Sequence, residues 1–147
     1  MLFPQPQEAY VIRYFYLWNA EHERGQEEGV KDRPCAIVLL VKNEEGKDIV
    51  TVLPITHTPP SLSQAESAME IPADMKRRLG LDDMRSWVML TEANRFTWPG
   101  PDLRMAAGGD AETIVYGRLP KRFFYRVRGA FIAALESGGP DIVSRGE

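Results

Sequence analysis

The amino-acid sequence predicts an α+β fold: a curled antiparallel sheet or small β-barrel with short helices and one longer C-terminal helix. Two observations carry this prediction. Strand-like apolar runs at residues 31–41 and 50–57 flank a polar, glycine-containing segment at residues 43–48, which is typical of an antiparallel hairpin. Near the C-terminus, apolar residues recur at helical spacing from Phe123 to Leu135, which indicates one amphipathic helix.

The remaining elements are shorter. The other predicted strands are rich in β-branched, aromatic or other apolar residues and lie at residues 10–18, 69–71, 87–91 and 113–119. Helical turns are predicted at residues 61–68 and 72–79, and the second of them ends at Gly80. The charged stretch 19–32 is predicted to be a loop or partly helical, and the proline-rich stretch 95–105 a loop.

Length and composition bound the organisation of the chain. The 147 residues predict a single domain, 1–147, with a core of about 10–137 and a disordered tail at 138–147 that begins with a Gly-Gly-Pro stop. The net charge of −3 excludes an overall basic field of the kind that attracts nucleic acid. Residues 118–128 nevertheless contain only basic and no acidic charges, which predicts a local basic patch.

The single cysteine and the lack of long apolar runs predict a cytoplasmic protein with no membrane partner. Cys35 has no partner for an internal disulfide and falls within an apolar strand, so it is predicted to be a buried, inert thiol. The longest apolar run, residues 35–41, is too short to span a bilayer, and residues 1–7 lack the features of a signal peptide. The two histidines and the cysteine show no metal-ligand spacing, so neither metal nor cofactor is predicted.

Arg33 and Thr56 are the first candidates for a functional site. Arg33 opens the first strand of the hairpin and Thr56 nearly closes the second, and antiparallel pairing brings these two ends to the same rim of the sheet. A planar guanidinium beside a hydroxyl group is suited to binding phosphate. The sequence therefore predicts a phosphate site at this rim.

The order of these elements resembles the MazF/PemK toxins of bacterial toxin–antitoxin systems. The resemblance covers roughly residues 10–98 and rests on the Arg-Pro that opens one strand, on the Pro-Ile-Thr that ends the next, and on the later segment Val-Met-Leu-Thr-Glu-Ala-Asn-Arg. It implies an SH3-like barrel, a homodimer, a cognate antitoxin protein and metal-independent cleavage of single-stranded RNA such as mRNA. By position, Arg33 resembles the family's catalytic arginine and Thr56 its threonine, while Glu92 and Arg95 match a later acid and arginine.

Cleavage of RNA by its own 2′-hydroxyl needs charge neutralisation and proton transfer. Arg33 suits the first task, Thr56 can donate to a second phosphate oxygen, and the general base is predicted to be either Glu28 or Glu92. Glu28 also belongs to an acidic run that is typical of a solvated surface.

Four residues near this predicted centre are candidates for RNA binding. His57 follows Thr56 directly and is also able to assist proton transfer. Phe96 and Trp98 are aromatic residues in a predicted loop, where their rings either stack on RNA bases or pack against the sheet. Arg95 completes the set.

Two alternatives of other classes stay open. One is a catalytically inactive SH3-like module that binds RNA or protein, which differs from the nuclease in whether Arg33, Thr56 and an acid converge. The other is a gyrase inhibitor resembling CcdB, which is less consistent with the sequence because the chain ends in Ser-Arg-Gly-Glu instead of an apolar Trp-Gly-Ile tail.

Overall fold

The computed structural model describes residues 3–25, 32–104 and 114–145. The described strands are β1 (Tyr10–Tyr14), β2 (Arg33–Lys42), β3 (Asp48–Thr56), β4 (Ala68–Glu70), β5 (Trp87–Met89), β6 (Glu92–Thr97), β7 (Leu103–Arg104), β8 (Val115–Arg118) and β9 (Asp141–Ser144). The described helices are α1 (Asn19–Glu23), α2 (Ala73–Arg78) and α3 (Lys121–Glu136), and a 3₁₀ turn covers Leu62–Ser67. None of the helices in these ranges is long and apolar enough to cross a bilayer.

The hairpin β2–β3 lies at the centre of the sheet. Its turn is closed by Asn43, whose side-chain oxygen accepts two backbone hydrogen bonds at 2.9 and 3.0 Å. Gly46 supplies the positive φ of 79° that the turn requires. The pairing runs from the turn to Cys35 opposite Pro54. The hairpin predicted from the sequence is therefore confirmed.

The sheet is mostly antiparallel and open. Its hydrogen-bonded order is β4-β5-β3-β2-β1-β7, with β6 also paired to β3, β8 to β1, and β9 to β6. Among the described strand pairs, only β6–β9 is parallel. This arrangement confirms the α+β class and the antiparallel character of the sheet, whereas the described strands do not close into the barrel that was predicted as its finer form.

Successive strand residues point to opposite sides of the sheet, and a buried core lies on each side. One face is covered by α3, which confirms the predicted amphipathic helix. The side chains that α3 buries are Phe123, Phe124, Val127 and Phe131. The other face carries a largely aromatic core in which the rings of Tyr14 and Phe96 stack with centroids 4.7 Å apart. Cys35 is fully buried in this second core, and burial raises the pKa of its thiol above the ordinary range, as expected of an inert cysteine.

Two sequence predictions about the second half of the chain are wrong. Residues 141–144 of the predicted disordered tail form β9, because the edge of β6 accepts a parallel strand there. The side chain of Arg145 is buried directly after that strand. The stretch 95–105 is not simply a loop, because its first residues belong to β6 and pair with β3, and Leu103–Arg104 forms β7 against β1.

Candidate active site

The rim where β2 begins and β3 ends brings together the two leading candidates. The β2–β3 register ends at Cys35 opposite Pro54, two residues before Arg33 and Thr56, so both lie at the same end of the hairpin. Arg33 also pairs with β1, and Thr56 pairs with β5, so both lie on neighbouring strand ends. The hydroxyl oxygen of Thr56 accepts a hydrogen bond from the backbone N–H of Thr58 at 3.2 Å. The hydroxyl group of Thr56 is the acceptor in this contact, and its O–H can still donate a hydrogen bond.

Trp18 fixes the orientation of the Arg33 side chain. The guanidinium carbon lies 4.7 Å from the centroid of the indole ring. The indole in turn meets Tyr16 edge-on, with centroids 5.1 Å apart. The Nε atom of Arg33 is buried and has no hydrogen-bond partner within the described parts of the chain. A buried donor without an acceptor costs free energy.

A cavity of about 440 Å³ opens beside Arg33. This volume lies in the range of small-ligand sites. The charged and polar groups of its wall are Asp32, Arg33, His57, Asp82, Ser86 and Tyr116. The charge of Asp32 is offset by Arg13 at 3.2 Å and Arg104 at 3.6 Å. The cavity therefore combines a cation with exposed proton-transfer groups.

His57 belongs to a chain of polar contacts that the sequence analysis did not find. Its Nε2 atom lies 2.7 Å from Oδ2 of Asp82, and Oδ1 of Asp82 accepts a hydrogen bond of 2.8 Å from Nζ of Lys76. The Lys76 side chain is only 4% exposed, whereas those of His57 and Asp82 are 46% and 49% exposed. Burial acts to raise the pKa of Asp82, but Lys76 and His57 outweigh it, so the net pKa lies below the usual range.

The C-terminus of α2 explains why Lys76 and Asp82 meet. Gly80 takes a positive φ of 69°, its N–H bonds to the carbonyl of Arg77, and the N–H of Leu81 bonds to the carbonyl of Lys76. This pair of bonds is a Schellman motif, which reverses the chain at the end of a helix. The reversal carries Asp82 back to the side chain of Lys76. The glycine predicted to end this helix was a sequence signal for the turn, but no signal indicated the contact with His57, which follows β3.

Glu92 is placed differently from the prediction. It does not line the cavity, and its Oε1 atom accepts hydrogen bonds from the Tyr16 hydroxyl at 3.0 Å and from the Asn19 N–H at 2.9 Å. Burial is the main reason that its pKa is raised. Glu92 is thus connected to Arg33 through Tyr16 and Trp18, an arrangement that supports the rim. Glu28, the other candidate base, lies outside the described residues.

The predicted RNA-binding residues separate into two groups. His57 lines the cavity beside Arg33. Phe96 is 4% exposed and stacked in the aromatic core, so of the two environments left open for its ring, packing against the sheet is the one observed, and the ring is not available to a base. Trp98 is half-buried and donates from Nε1 to the carbonyl of Pro4 at 3.0 Å. Arg95 is exposed, donates to the Ser144 hydroxyl at 3.0 Å and does not line the cavity.

The placement of Glu92 leads to a prediction about pH and stability. The pKa of about 4.3 that is usual for Glu applies to the unfolded chain, and the folded state has a higher pKa. The free energy of unfolding contributed by this group therefore falls as the pH rises between the two values. Glu92→Gln keeps an oxygen acceptor for Tyr16 and Asn19 but cannot ionise. We expect the variant to be more stable than wild type at pH 7 in urea unfolding.

A pH series provides the check on this prediction. The advantage of Glu92→Gln should shrink as the pH falls and disappear below about pH 4, where the carboxyl group is protonated in both states. Glu66→Gln, at an exposed position in the 3₁₀ turn, is the matched control and should not differ from wild type. A Glu92→Gln protein that is less stable than wild type at pH 7 would contradict the argument.

Comparisons of the chain with models of protein families, with curated proteins and with solved structures gave no match.

Proposed function

We propose that this protein is an endoribonuclease toxin of the MazF/PemK type, which cleaves single-stranded RNA at preferred sequences without a metal ion. The observation that carries the proposal is the cavity at the β2–β3 rim, where Arg33 has a buried donor without a described partner and His57 is held by a carboxylate. The strand ends Arg-Pro and Pro-Ile-Thr, which resemble that family, support the same function.

The chemistry follows from the groups present. When the RNA 2′-hydroxyl attacks the adjacent phosphorus, negative charge builds up on the non-bridging oxygens of the phosphorane. The guanidinium of Arg33 can hold two of these oxygens, because its donors form a planar fork. Thr56, on the adjoining strand, is only 9% exposed and does not line the cavity, so the donation to a second phosphate oxygen that the sequence predicts has no support from this geometry. The 2′-hydroxyl requirement makes RNA, and not DNA, the substrate.

Further parts of the proposal rest on the resemblance alone. They are a place in a type II toxin–antitoxin system, a cognate antitoxin, a homodimer, a cytoplasmic location and an SH3-like variant of the open sheet. The aromatic residues do not add independent support for the dimer, because many of them are buried in the cores of the single chain.

The outer surface of α3 favours a second candidate, a non-catalytic module that binds RNA. A shallow hollow there is lined by Lys121, Arg122, Tyr125 and Arg126, and the tyrosine is 56% exposed. Within the described ranges, none of the three cations has an acidic partner. Cations beside an exposed aromatic ring bind single-stranded nucleic acid through phosphate contacts and base stacking.

The proposed function is tested by incubating the purified protein with mixed single-stranded RNA in EDTA. We expect fragments with 2′,3′-cyclic phosphate and 5′-hydroxyl ends, because the 2′-oxygen is the nucleophile and the 5′-oxygen the leaving group. A substrate with a single 2′-deoxy residue at a mapped cleavage position should bind but not be cut there.

Three outcomes separate the candidates. Cleavage of the deoxy-substituted strand at the parent rate, or loss of all activity in EDTA, would exclude the proposed mechanism. Absence of cleavage together with RNA binding that is lost in the triple variant Lys121→Glu, Arg122→Glu, Arg126→Glu would favour the non-catalytic module.

A further inference from the structure

The exposed ring of His57 is oriented by contacts from another part of the chain. Its partner Asp82 is 25 positions away and reaches it from the turn after α2. A carboxylate only accepts hydrogen bonds, and its pKa here is held below the usual range, so the proton between the two groups lies on Nε2 of the imidazole. Nδ1 has no hydrogen-bond partner within the described part of the chain. Nδ1 is therefore the ring atom that is left to act on a ligand.

Lys76 anchors the carboxylate that holds this ring. Its buried ammonium group binds Oδ1 of Asp82 and also the carbonyl of Met84. The Met84 N–H returns a hydrogen bond of 3.2 Å to the same Asp82 oxygen. Oδ1 is thus occupied by the turn, whereas Oδ2 is directed at His57.

The ionisable groups around His57 in the cavity include both acids and a cation. The ionisable groups that line the cavity with it are Asp32, Arg33, Asp82 and Tyr116, and Lys76 lies behind Asp82. Asp32 is offset by two arginines, so Arg33 is the cation and His57 the proton-transfer group that a phosphate would meet there. Both residues line the cavity, Arg33 as the first residue of β2 and His57 directly after the end of β3.

We propose that His57 is the catalytic acid of the proposed RNA cleavage and that Asp82 and Lys76 are positioning residues that hold its ring. The inference rests on the proposed function and assigns one step of it. The bond between the 2′-oxygen and phosphorus forms, and the bond between phosphorus and the 5′-oxygen breaks. The proton on Nδ1 of the His57 imidazolium passes to the departing 5′-oxygen, the 2′ proton passes to water, and the neutral imidazole is reprotonated from solvent.

A substrate whose scissile 5′-oxygen is replaced by sulfur tests this step directly. A thiolate leaves without protonation, because a thiol is a far stronger acid than an alcohol. On the oxygen substrate, His57→Gln should lower kcat by about 10²–10⁴-fold, the usual scale for one acid or base. On the sulfur substrate the same variant should come within about tenfold of wild type. Asp82→Asn should show a smaller loss with the same rescue.

Two controls keep the test specific. Arg33→Ala should be slow on both substrates, because charge neutralisation is needed whatever atom leaves. His22→Gln removes the other histidine, which lies exposed in α1, and should cut both substrates at the wild-type rate. Thermal unfolding of His57→Gln should match wild type, since the side chain is nearly half exposed.

The outcomes distinguish this inference from the proposed function. If wild type cuts both substrates and His57→Gln is slowed equally on both, His57 is not the acid and the inference alone is overturned. If wild type cuts neither, the proposed function fails and this assignment fails with it. Selective rescue of His57→Gln and Asp82→Asn by sulfur, with none for Arg33→Ala, supports the assignment.

Discussion

Replacing Arg33 by Ala is expected to lower RNA cleavage by about 10²–10³-fold while leaving the fold intact, the scale for losing one transition-state donor. The side chain is only half-buried, and its main described contact is the ring of Trp18, so its loss should have little effect on the sheet. Its Nε atom has no acceptor within the described residues, so the ring of Trp18 is the contact that orients the guanidinium there. The loss should appear in the rate constant of the cleavage step, measured on a fluorescent single-stranded RNA under single-turnover conditions.

A second substitution at the same position separates charge from geometry. Arg33→Lys keeps the charge, but an ammonium group cannot stack flat on Trp18 or grip two phosphate oxygens in one plane, so rescue should be poor. Arg85→Ala is the matched control. Arg85 also lies over an indole ring, 5.0 Å from the centroid of Trp87, and it pairs with Glu70 outside the cavity. If Arg33→Ala cleaves RNA as fast as Arg85→Ala, Arg33 takes no part in the catalytic step.

The rim of the hairpin was predictable because all the signals that define it are local. Two apolar runs and one polar turn specify β2–β3, and antiparallel pairing alone then puts Arg33 and Thr56 at the same end of the hairpin. The C-terminal helix was predictable for the same reason, since its apolar spacing lies within one segment. Neither inference needed to know how distant parts of the chain pack.

The contacts around His57 could not be predicted from such local signals. His57 and Asp82 meet only because β3 ends beside the turn that follows α2, and this arrangement depends on the packing of α2 against the sheet. In the sequence, no characteristic spacing relates His57 to one particular acidic residue among many. The end of α2 at Gly80 was visible, but its consequence for Asp82 was not.

Composition left the environment of Phe96 open and gave the wrong environment for the C-terminal tail. Phe96 precedes a Trp-Pro-Gly sequence that is typical of an exposed loop, yet pairing of β6 with β3 turns its ring into the aromatic core. The tail follows two glycines and a proline and contains few apolar residues, which is typical of disorder. Its strand forms because β6 offers a hydrogen-bonding edge and because Arg145 finds acceptors contributed by distant segments.

Arg145→Ala is expected to lower the free energy of unfolding by about 3–5 kcal/mol. The Arg145 side chain is 5% exposed and lies 3.1 Å from a carboxylate oxygen of Asp102, which is itself 15% exposed. It also donates to the Phe15 carbonyl at 3.0 Å and to Oδ1 of Asn94 at 3.1 Å. Truncation would leave a nearly buried carboxylate without its cation, and this uncompensated charge is the reason for the size of the effect.

The origin of that loss can be tested by removing the second charge as well. The cost of Arg145→Ala comes mainly from the Asp102 carboxylate, which is left buried without a cation. The double variant Arg145→Met, Asp102→Leu should therefore be more stable than Arg145→Ala in urea unfolding. Arg95→Ala is the matched control, since Arg95 also links β6 to β9 but is exposed and contacts only the Ser144 hydroxyl there, so its effect should be much smaller. Equal losses for Arg95→Ala and Arg145→Ala would show that the strand pairing, and not the buried ion pair, determines the stability of the C-terminal segment.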